Sequence, residues 1–271
     1  MGPKLAIIAG GGNLPWLLRD TCDASGRDCL FIALNDHADI YREPAPDAVI
    51  RIGDWGRTLD LLKEHRIEEL VFAGTVRRPA LKEIRPDARG ASFLARLGRA
   101  WFGDDSILSA VMNELEKEGF HVVSPESLLQ EFVAKEGAYG SVQPDEAAIA
   151  DILRGKEVIK AIGAQDIGQA VVIQQGIVMA VEAAEGTDAM IARCKSLLRD
   201  DAGGVLVKLP KPGQDRRVDL PTIGTRTIQA AREAGLIGVA VEAGGALVVE
   251  VEEIMKIADA AGIFVVGIPG D

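Results

Sequence analysis

The sequence of 271 residues contains only three histidines and three cysteines, and each shortage excludes a class of site. Its three histidines stand far apart and form no metal-binding motif, which argues against zinc hydrolases and histidine-rich two-metal phosphoesterases. The three cysteines are too few and too scattered for a disulfide framework or a thiolate zinc site. A reducing compartment fits this pattern best.

Long apolar runs and excess positive charge are also missing. The first apolar run, residues 5–9, is too short for a signal peptide, and a spanning helix needs about 18 residues. The net charge of −11 disfavours nonspecific nucleic-acid binding, which needs a cationic surface. We therefore expect a cytoplasmic protein that does not bind nucleic acid.

The pattern of apolar segments predicts an α/β protein with two domains. Short apolar runs alternate with helical segments through the first half, which is typical of a parallel sheet with helices on both faces. We expect residues 1–133 to form this N-terminal domain, residues 134–150 to form a linker, and residues 151–271 to form a C-terminal catalytic domain of mixed α/β type. In the second domain, Gln175-Gly176 and Gly244-Gly245 each stand between two apolar runs and predict two hairpins.

Three consecutive glycines, residues 10–12, separate the first predicted strand from the first helix. One interpretation is a tight turn between strand and helix. The other is an anion site, because backbone N–H groups and a helix N-terminus attract phosphate. The dinucleotide fingerprint needs a third glycine where Pro15 stands, so the segment favours a nucleotide or phosphate ligand over NAD.

Two segments of the second half concentrate charged residues. Glu182, Glu185 and Asp188 surround Thr187 at a helix start, where they could hold a cation beside a phosphate or serve only as helix caps. Residues 208–224 (KLPKPGQDRRVDLPTIG) place cations beside carboxylates. That composition suits a metal-bound diphosphate and equally a solvated, salt-bridged loop. Any metal would have oxygen ligands, which magnesium prefers.

Residues 77–101 differ in charge from the rest of the chain, with seven basic residues against two acidic ones. Phe93, Leu94, Leu97 and Trp101 share roughly one face of a predicted helix. One interpretation is peripheral contact with an anionic membrane surface. The other is an ordinary helix packed on the core with solvated arginines.

Eight motifs in order resemble the LpxI-type UDP-2,3-diacylglucosamine diphosphatases of lipid A biosynthesis. They are IAGGGNLP (residues 8–15), FAGTVRRP (72–79), PDARG (86–90), GDDSIL (103–108), EKEGF (116–120), DIGQAVV (166–172), VEAAEGTDAM (181–190) and RVDLPTIG (217–224). The resemblance runs almost from end to end of the chain.

The resemblance implies a Rossmann-like N-terminal domain, a C-terminal domain of the family's own kind, and a lipid product held between them. It implies hydrolysis of the acylated UDP-sugar to UMP and 2,3-diacylglucosamine 1-phosphate (lipid X). It also implies dependence on Mg²⁺ or another divalent cation. By the RVDLP motif, the family's important aspartate corresponds to Asp219.

We therefore predict three overlapping sets of site residues. The catalytic set is Asp219, Asp188 and Glu182, and the metal set is Asp219, Asp188 and Glu185. The substrate-binding set is Gly11, Gly12, Asn13, Gly74, Thr75, Thr187, Lys211, Gln214, Arg217 and Thr222. Two alternatives stay open, a nucleotide-dependent oxidoreductase and a non-enzymatic module that binds acylated sugars.

Overall fold

The computed structural model describes residues 2–76, 84–97, 104–199, 203–212, 217 and 220–270, with the backbone alone at 97 and 104–107. The described chain divides into two units. The first comprises the residues up to Leu129 together with Arg217, and the second comprises the others. Within the described ranges, no helix combines the length and hydropathy that crossing a bilayer requires.

The first unit is a parallel sheet whose strands alternate with helices. Its elements are β1 (Leu5–Ala9), α1 (Leu14–Ser25), β2 (Cys29–Leu34), β3 (Ala48–Ile50), α2 (Trp55–Glu64), β4 (Glu69–Ala73), α3 (Ala88–Leu97), α4 (Asp104–Lys117), β5 (His121–Val122) and α5 (Pro125–Leu128). All neighbouring strands are parallel, in the order β3-β2-β1-β4-β5. This confirms the Rossmann-like sheet predicted for the N-terminal half.

Helices cover both faces of this sheet because β1 and β2 are apolar on both sides. On one face, Trp16 of α1 packs on Phe31 of β2, with ring centroids 4.5 Å apart. On the other, Ile8 and Ile32 join a buried cluster with Met112 of α4. The central strands are therefore sequestered from water, and only their ends are open to a ligand.

The second unit is a mixed sheet with helices on both faces. Its elements are a 3₁₀ turn (Gln130–Phe132), β6 (Gly137–Tyr139), α6 (Glu146–Gly163), β7 (Ala170–Gln174), β8 (Ile177–Val181), α7 (Thr187–Cys194), β9 (Val205–Lys208), β10 (Thr222–Ile223), α8 (Thr225–Ala234), β11 (Gly238–Glu242), β12 (Leu247–Val248), α9 (Val251–Ala261) and β13 (Phe264–Ile268). The sheet order is β6-β13-β11-β9-β7-β8, and β9, β11 and β13 are parallel. The predicted mixed α/β domain is confirmed.

One of the two predicted hairpins is confirmed. Strands β7 and β8 pair in antiparallel fashion around Gln175-Gly176. The turn is held by buried Asp151 of α6, whose carboxylate accepts both backbone N–H groups of the turn, at 2.9 and 2.6 Å.

The second predicted hairpin, around Gly244-Gly245, is wrong. Strand β11 lies between two parallel neighbours, β9 and β13, and β12 instead pairs in parallel with β10. The reason is burial: residues 238–241 are buried on both faces, which suits an interior parallel strand better than a hairpin arm. The segment predicted as a linker, 134–150, contains β6, which pairs with β13, and the first residues of α6.

The two faces of the second sheet carry different helices. One face packs on α7, α8 and α9 through Ile191, Ile228 and Ile254, and the other packs on α6 through Ile152 and Ile159. Because β9, β11 and β13 are parallel, their carboxyl ends meet at one edge, and α7 and α8 begin at that edge. Ligands of α/β proteins bind at such edges.

Candidate active site

The glycine segment of the first unit is joined to the end of β4 by backbone hydrogen bonds. Gly10 N donates to Ala73 O at 2.8 Å, and Gly11 N donates to Thr75 O at 2.8 Å. Thr75 N returns a bond to Gly11 O at 2.9 Å. These bonds use two of the three glycine N–H groups that the anion interpretation needed, whereas Gly12 is exposed with a φ of +88°. The tight-turn interpretation is therefore favoured at Gly10 and Gly11.

The close approach of these two loops requires glycine on both sides. Gly74 has a φ of +89°, and a Cβ built on it would lie 2.4 Å from Gly11 O. A Cβ on Gly10 would lie 2.7 Å from Thr75 O. Of the predicted substrate-binding residues, the fold thus brings Gly11, Gly74 and Thr75 into direct contact.

The start of α1, beside this joint, is not capped by the side chain of its N-cap residue, Asn13. Asn13 makes no cap hydrogen bond and instead accepts one from Arg42 Nη1 at 3.2 Å. The Arg42 guanidinium also lies 4.9 Å from the centroid of the Trp16 ring. An uncapped helix start beside a fixed cation is suited to an anion. Sequence reasoning missed Arg42, because it lies in a loop without a motif.

Two buried charged residues lie in line across the carboxyl edge of the second sheet. Glu182 N donates to Ala170 O, and Lys208 is the register partner of Ala170 on the opposite side. Glu182 and Lys208 are therefore two strands, or about 10 Å, apart on the same face of the sheet. Only 7% of Glu182 and 9% of Lys208 is exposed, so each charge needs a polar partner.

Glu182 finds its partners within the protein. Its Oε1 accepts a hydrogen bond from the Thr187 hydroxyl at 2.5 Å, and its Oε2 accepts one from Gln169 N at 3.1 Å. The Thr187 hydroxyl is thus directed at Glu182, and the N-cap residue of α7, Gly186, has no side chain with which to cap the helix. A helix start that its N-cap residue leaves uncapped suits an anion.

Helix α8 contrasts with α7 at the same edge. Thr225 N and the Thr225 hydroxyl both donate to the Glu250 carboxylate, at 3.2 and 2.6 Å. Glu250 itself has a φ of +59°, a left-handed conformation that non-glycine residues rarely adopt. A carboxylate therefore occupies the start of α8, whereas α7 carries Asp188 in its own first turn.

The other two predicted carboxylates of this segment are exposed and paired with arginines. Arg193 lies 2.7 Å from Glu185, and Arg226 lies 2.8 Å from Asp188. The hydrogen bond from Arg193 lowers the pKa of Glu185 below its usual range. A general base at neutral pH works best with a raised carboxyl pKa, so Glu185 is poorly suited to that role.

The remaining predicted residues are dispersed. Lys211 Nζ donates to Asp166, and the Thr222 hydroxyl donates to Leu220 O at 3.1 Å. Arg217, in the first unit, donates to Glu116 Oε1 of α4 at 2.6 Å. Asp219 and Gln214 lie outside the described residues.

Sequence reasoning missed two further polar residues of the second edge. Lys208 lies in the charged segment 208–224 and Gln169 in the motif DIGQAVV, but neither is among the predicted site residues. Gln169 Oε1 is buried and has no hydrogen-bond partner among the residues described. The DIGQAVV motif that contains Gln169 was the available signal.

Family models match both halves of the chain. The LpxI N-terminal domain matches residues 4–132, and the LpxI C-terminal domain matches residues 135–266. The chain belongs to the LpxI family. It is 42% identical over 272 residues to the UDP-2,3-diacylglucosamine pyrophosphatase LpxI of Caulobacter vibrioides, and the match covers 98% of this chain and 97% of that protein. The resemblance seen in the motifs is confirmed.

One of the LpxI-like motifs, PDARG, has a structural role here. Asp87 accepts hydrogen bonds from Gly56 N at 2.7 Å, in the first turn of α2, and from Gly90 N at 2.7 Å, in the first turn of α3. The same junction buries Phe93, which stacks on Trp55 with centroids 4.6 Å apart. The described part of the basic stretch therefore directs its aromatic ring inward, as the core-packing interpretation predicts.

Proposed function

We propose that this LpxI-family chain hydrolyses the diphosphate bond of UDP-2,3-diacylglucosamine. Water adds its oxygen to one phosphorus, the bridging P–O bond breaks, and a proton is released. The products are UMP and 2,3-diacylglucosamine 1-phosphate, whichever phosphorus is attacked. The observation that carries this proposal is the 42% identity, over nearly the whole chain, to a protein named for this activity.

The carboxyl edge of the second sheet supports a diphosphate ligand. The N-cap residue of α7, Gly186, has no side chain to cap the first-turn N–H groups, and the buried Glu182 accepts a hydrogen bond from Thr187 beside them. Backbone donors in this arrangement stabilise phosphate oxygens without a counter-ion. We assign Glu182 to positioning Thr187, because its Oε1 accepts the hydrogen bond from the Thr187 hydroxyl.

The described carboxylates do not by themselves fit a metal ion. Among the residues with described side chains, no three histidine, cysteine, aspartate or glutamate groups are arranged to hold one. Glu185 and Asp188 are each paired with an arginine, which competes with a cation. The magnesium requirement therefore stays a prediction that depends on Asp219 and on the resemblance.

Two alternatives have less support. A nicotinamide oxidoreductase needs backbone N–H groups open to a pyrophosphate at the first glycine turn. Here Gly10 and Gly11 donate to the loop after β4 instead. A binding module for acylated sugars would need no buried carboxylate and ammonium at one sheet edge, since their burial costs stability.

The decisive experiment measures product formation from UDP-2,3-diacylglucosamine in ¹⁸O-labelled water, with and without Mg²⁺. We expect equal amounts of UMP and lipid X, with one labelled oxygen in one of the two products. Asp219→Asn should reduce turnover about 1,000-fold, within the range of a lost acid–base group. Asp215→Asn, four residues earlier in the same charged segment, is the matched control and should retain activity.

Other outcomes would select an alternative. Binding of the acylated sugar without release of UMP would indicate a binding module. Binding of a nicotinamide dinucleotide in calorimetry would indicate an oxidoreductase. Full turnover by Asp219→Asn would remove the proposed role of that residue while leaving the activity itself intact.

We also propose a cytoplasmic protein with peripheral contact at the inner membrane, supported by the basic residues of 77–101. Flotation with vesicles of anionic lipid should recover the protein, and vesicles of neutral lipid should not. Equal recovery with both would contradict an electrostatic contact.

A further inference from the structure

Lys208 is a buried lysine at the end of β9, and its ammonium group bonds to the backbone of another strand. Its Nζ donates to Thr222 O of β10 at 3.1 Å, although only 9% of the residue is exposed. Burying an ammonium group costs several kcal/mol unless it is well paired, and an apolar side chain would fill the same space at less cost. Its presence at this edge therefore indicates a role beyond packing.

The segment that Lys208 holds is short and is fixed along its whole length. Residues 220–223 follow Asp219 directly in the sequence. Within them Leu220 and Ile223 are buried, and the Thr222 hydroxyl closes back on Leu220 O. Three backbone or side-chain donors from neighbouring elements reach this segment: Leu247 N to Pro221 O at 2.8 Å, Val249 N to Ile223 O at 3.0 Å, and Lys208 Nζ to Thr222 O at 3.1 Å.

Lys208 differs from the other two donors in its origin. The N–H groups of Leu247 and Val249 belong to the β12 segment, the parallel partner of β10. Lys208 belongs to the central strand β9, which is buried along its length between β7 and β11. Its bond to Thr222 O therefore links the small β10–β12 sheet to the main sheet at the carboxyl edge.

We propose that Lys208 is a positioning residue for the reaction, which holds residues 220–223 in place by binding the carbonyl of Thr222. This inference rests on the proposed function, in which Asp219 precedes that segment. Loss of the ammonium group removes a charged donor from the carbonyl of Thr222, in a part-buried hydrogen bond, and loosens the segment. A displacement of about 1 Å at a reacting group can cost about 100-fold in rate.

Steady-state kinetics of three variants test the proposal. Lys208→Met should lower kcat about 100-fold and leave KM within about twofold, because the substrate is bound but poorly aligned. Lys208→Arg keeps a charged donor, and its kcat should be at least tenfold higher than that of Lys208→Met. Lys256→Met is the control, since Lys256 lies exposed on α9 and pairs only with Glu253 at 3.3 Å among its described partners; it should match wild type.

A double-mutant cycle separates positioning from substrate contact. In an Asp219→Asn background, Lys208→Met should cause little further loss of residual turnover, because its effect passes through the segment beside position 219. An equal loss in both backgrounds, or a rise in KM with kcat unchanged, would show that Lys208 acts on the substrate itself and would overturn the proposal.

Hydrogen exchange supplies a measurement that needs no activity. The amide protons of Leu247 and Val249, which donate to the held segment, should exchange faster in Lys208→Met than in wild type or Lys208→Arg. If wild type released no UMP and this pattern persisted, the proposed function would fail and the anchoring role would stand. Unchanged exchange in Lys208→Met would overturn the anchoring role directly.

Discussion

The two sheets use their carboxyl edges differently. In the first unit, the end of β1 is closed by reciprocal backbone bonds between Gly11 and Thr75. In the second, the ends of β8 and β9 carry Glu182 and Lys208, both buried and both bonded to neighbouring segments. The first edge is thus stabilised by backbone contact that only glycine permits. The second is stabilised by hydrogen bonds from and to charged side chains.

This difference explains why the glycine motif is a weaker functional signal than its position indicates. Close approach of two loops and approach of a phosphate impose the same demand, a backbone without side chains. Here Gly10, Gly11 and Gly74 permit the close approach of the two loops. Gly12 remains compatible with the approach of a phosphate.

The largest effect on stability is expected from Gly74→Ala. A Cβ there would lie 2.4 Å from Gly11 O, and the φ of +89° is strained for alanine. We expect a loss of about 3 kcal/mol in the free energy of unfolding, from backbone strain and overpacking together. Urea titration measures it.

The matched control for this prediction is Gly12→Ala. Gly12 has nearly the same φ, +88°, but a Cβ on it would meet nothing within 4 Å. The free energy of unfolding should fall by only about 1–2 kcal/mol, which is the cost of the left-handed conformation for alanine. Equal losses in the two variants would mean that the loops do not press on each other as described.

A smaller effect is expected at the second edge from Thr187→Val. The substitution keeps the shape of the side chain but removes the hydroxyl, which donates a hydrogen bond to Glu182 Oε1 at 2.5 Å. A buried carboxylate that loses a donor should cost about 2 kcal/mol, measured in the same titration. Thr187→Ser retains the hydroxyl and should lose clearly less. If valine and serine behaved alike, the carboxylate would have another source of hydrogen bonds, and the contrast between the edges would weaken.

The smallest effect is expected from Asp54→Asn in the first unit, and it depends on pH. Arg51 bonds to the buried Asp54 carboxylate at 2.9 Å, and this lowers the pKa of Asp54 below its ordinary value of 3.8. The carboxylate therefore stabilises the fold above pH 3.8, and this contribution is lost as the pH falls through the lower folded-state pKa. Because Arg51 is more than half exposed, we expect the contribution to be under about 1 kcal/mol.

The test compares the free energy of unfolding of wild type and Asp54→Asn from pH 7 to pH 2.5. The variant should be less stable near neutrality, and the difference in free energy of unfolding between the two proteins should decrease below pH 3.8. A difference in free energy of unfolding that is constant over this pH range would show that protonation of Asp54 is not linked to folding.

The sequence by itself determined the class of both units and the family of the chain. Apolar runs of five or six residues between helical segments, such as residues 5–9 and 29–34, specify buried parallel strands through local patterning alone. The β7–β8 hairpin was predictable for the same reason, since its turn residues and both arms are adjacent in sequence. The eight motifs by themselves were sufficient to identify the LpxI family.

Only the tertiary structure decided which polar groups meet. Gly11 and Thr75 are far apart in sequence, as are Lys208 and Thr222 and the strands β10 and β12. Their pairing depends on which strands become neighbours, and that choice is made by burial of whole faces rather than by local pattern. The predicted hairpin at Gly244-Gly245 was wrong on this account, because β11 is more stable between two buried neighbours than at a hairpin. The same nonlocal burial directs Thr187 to Glu182.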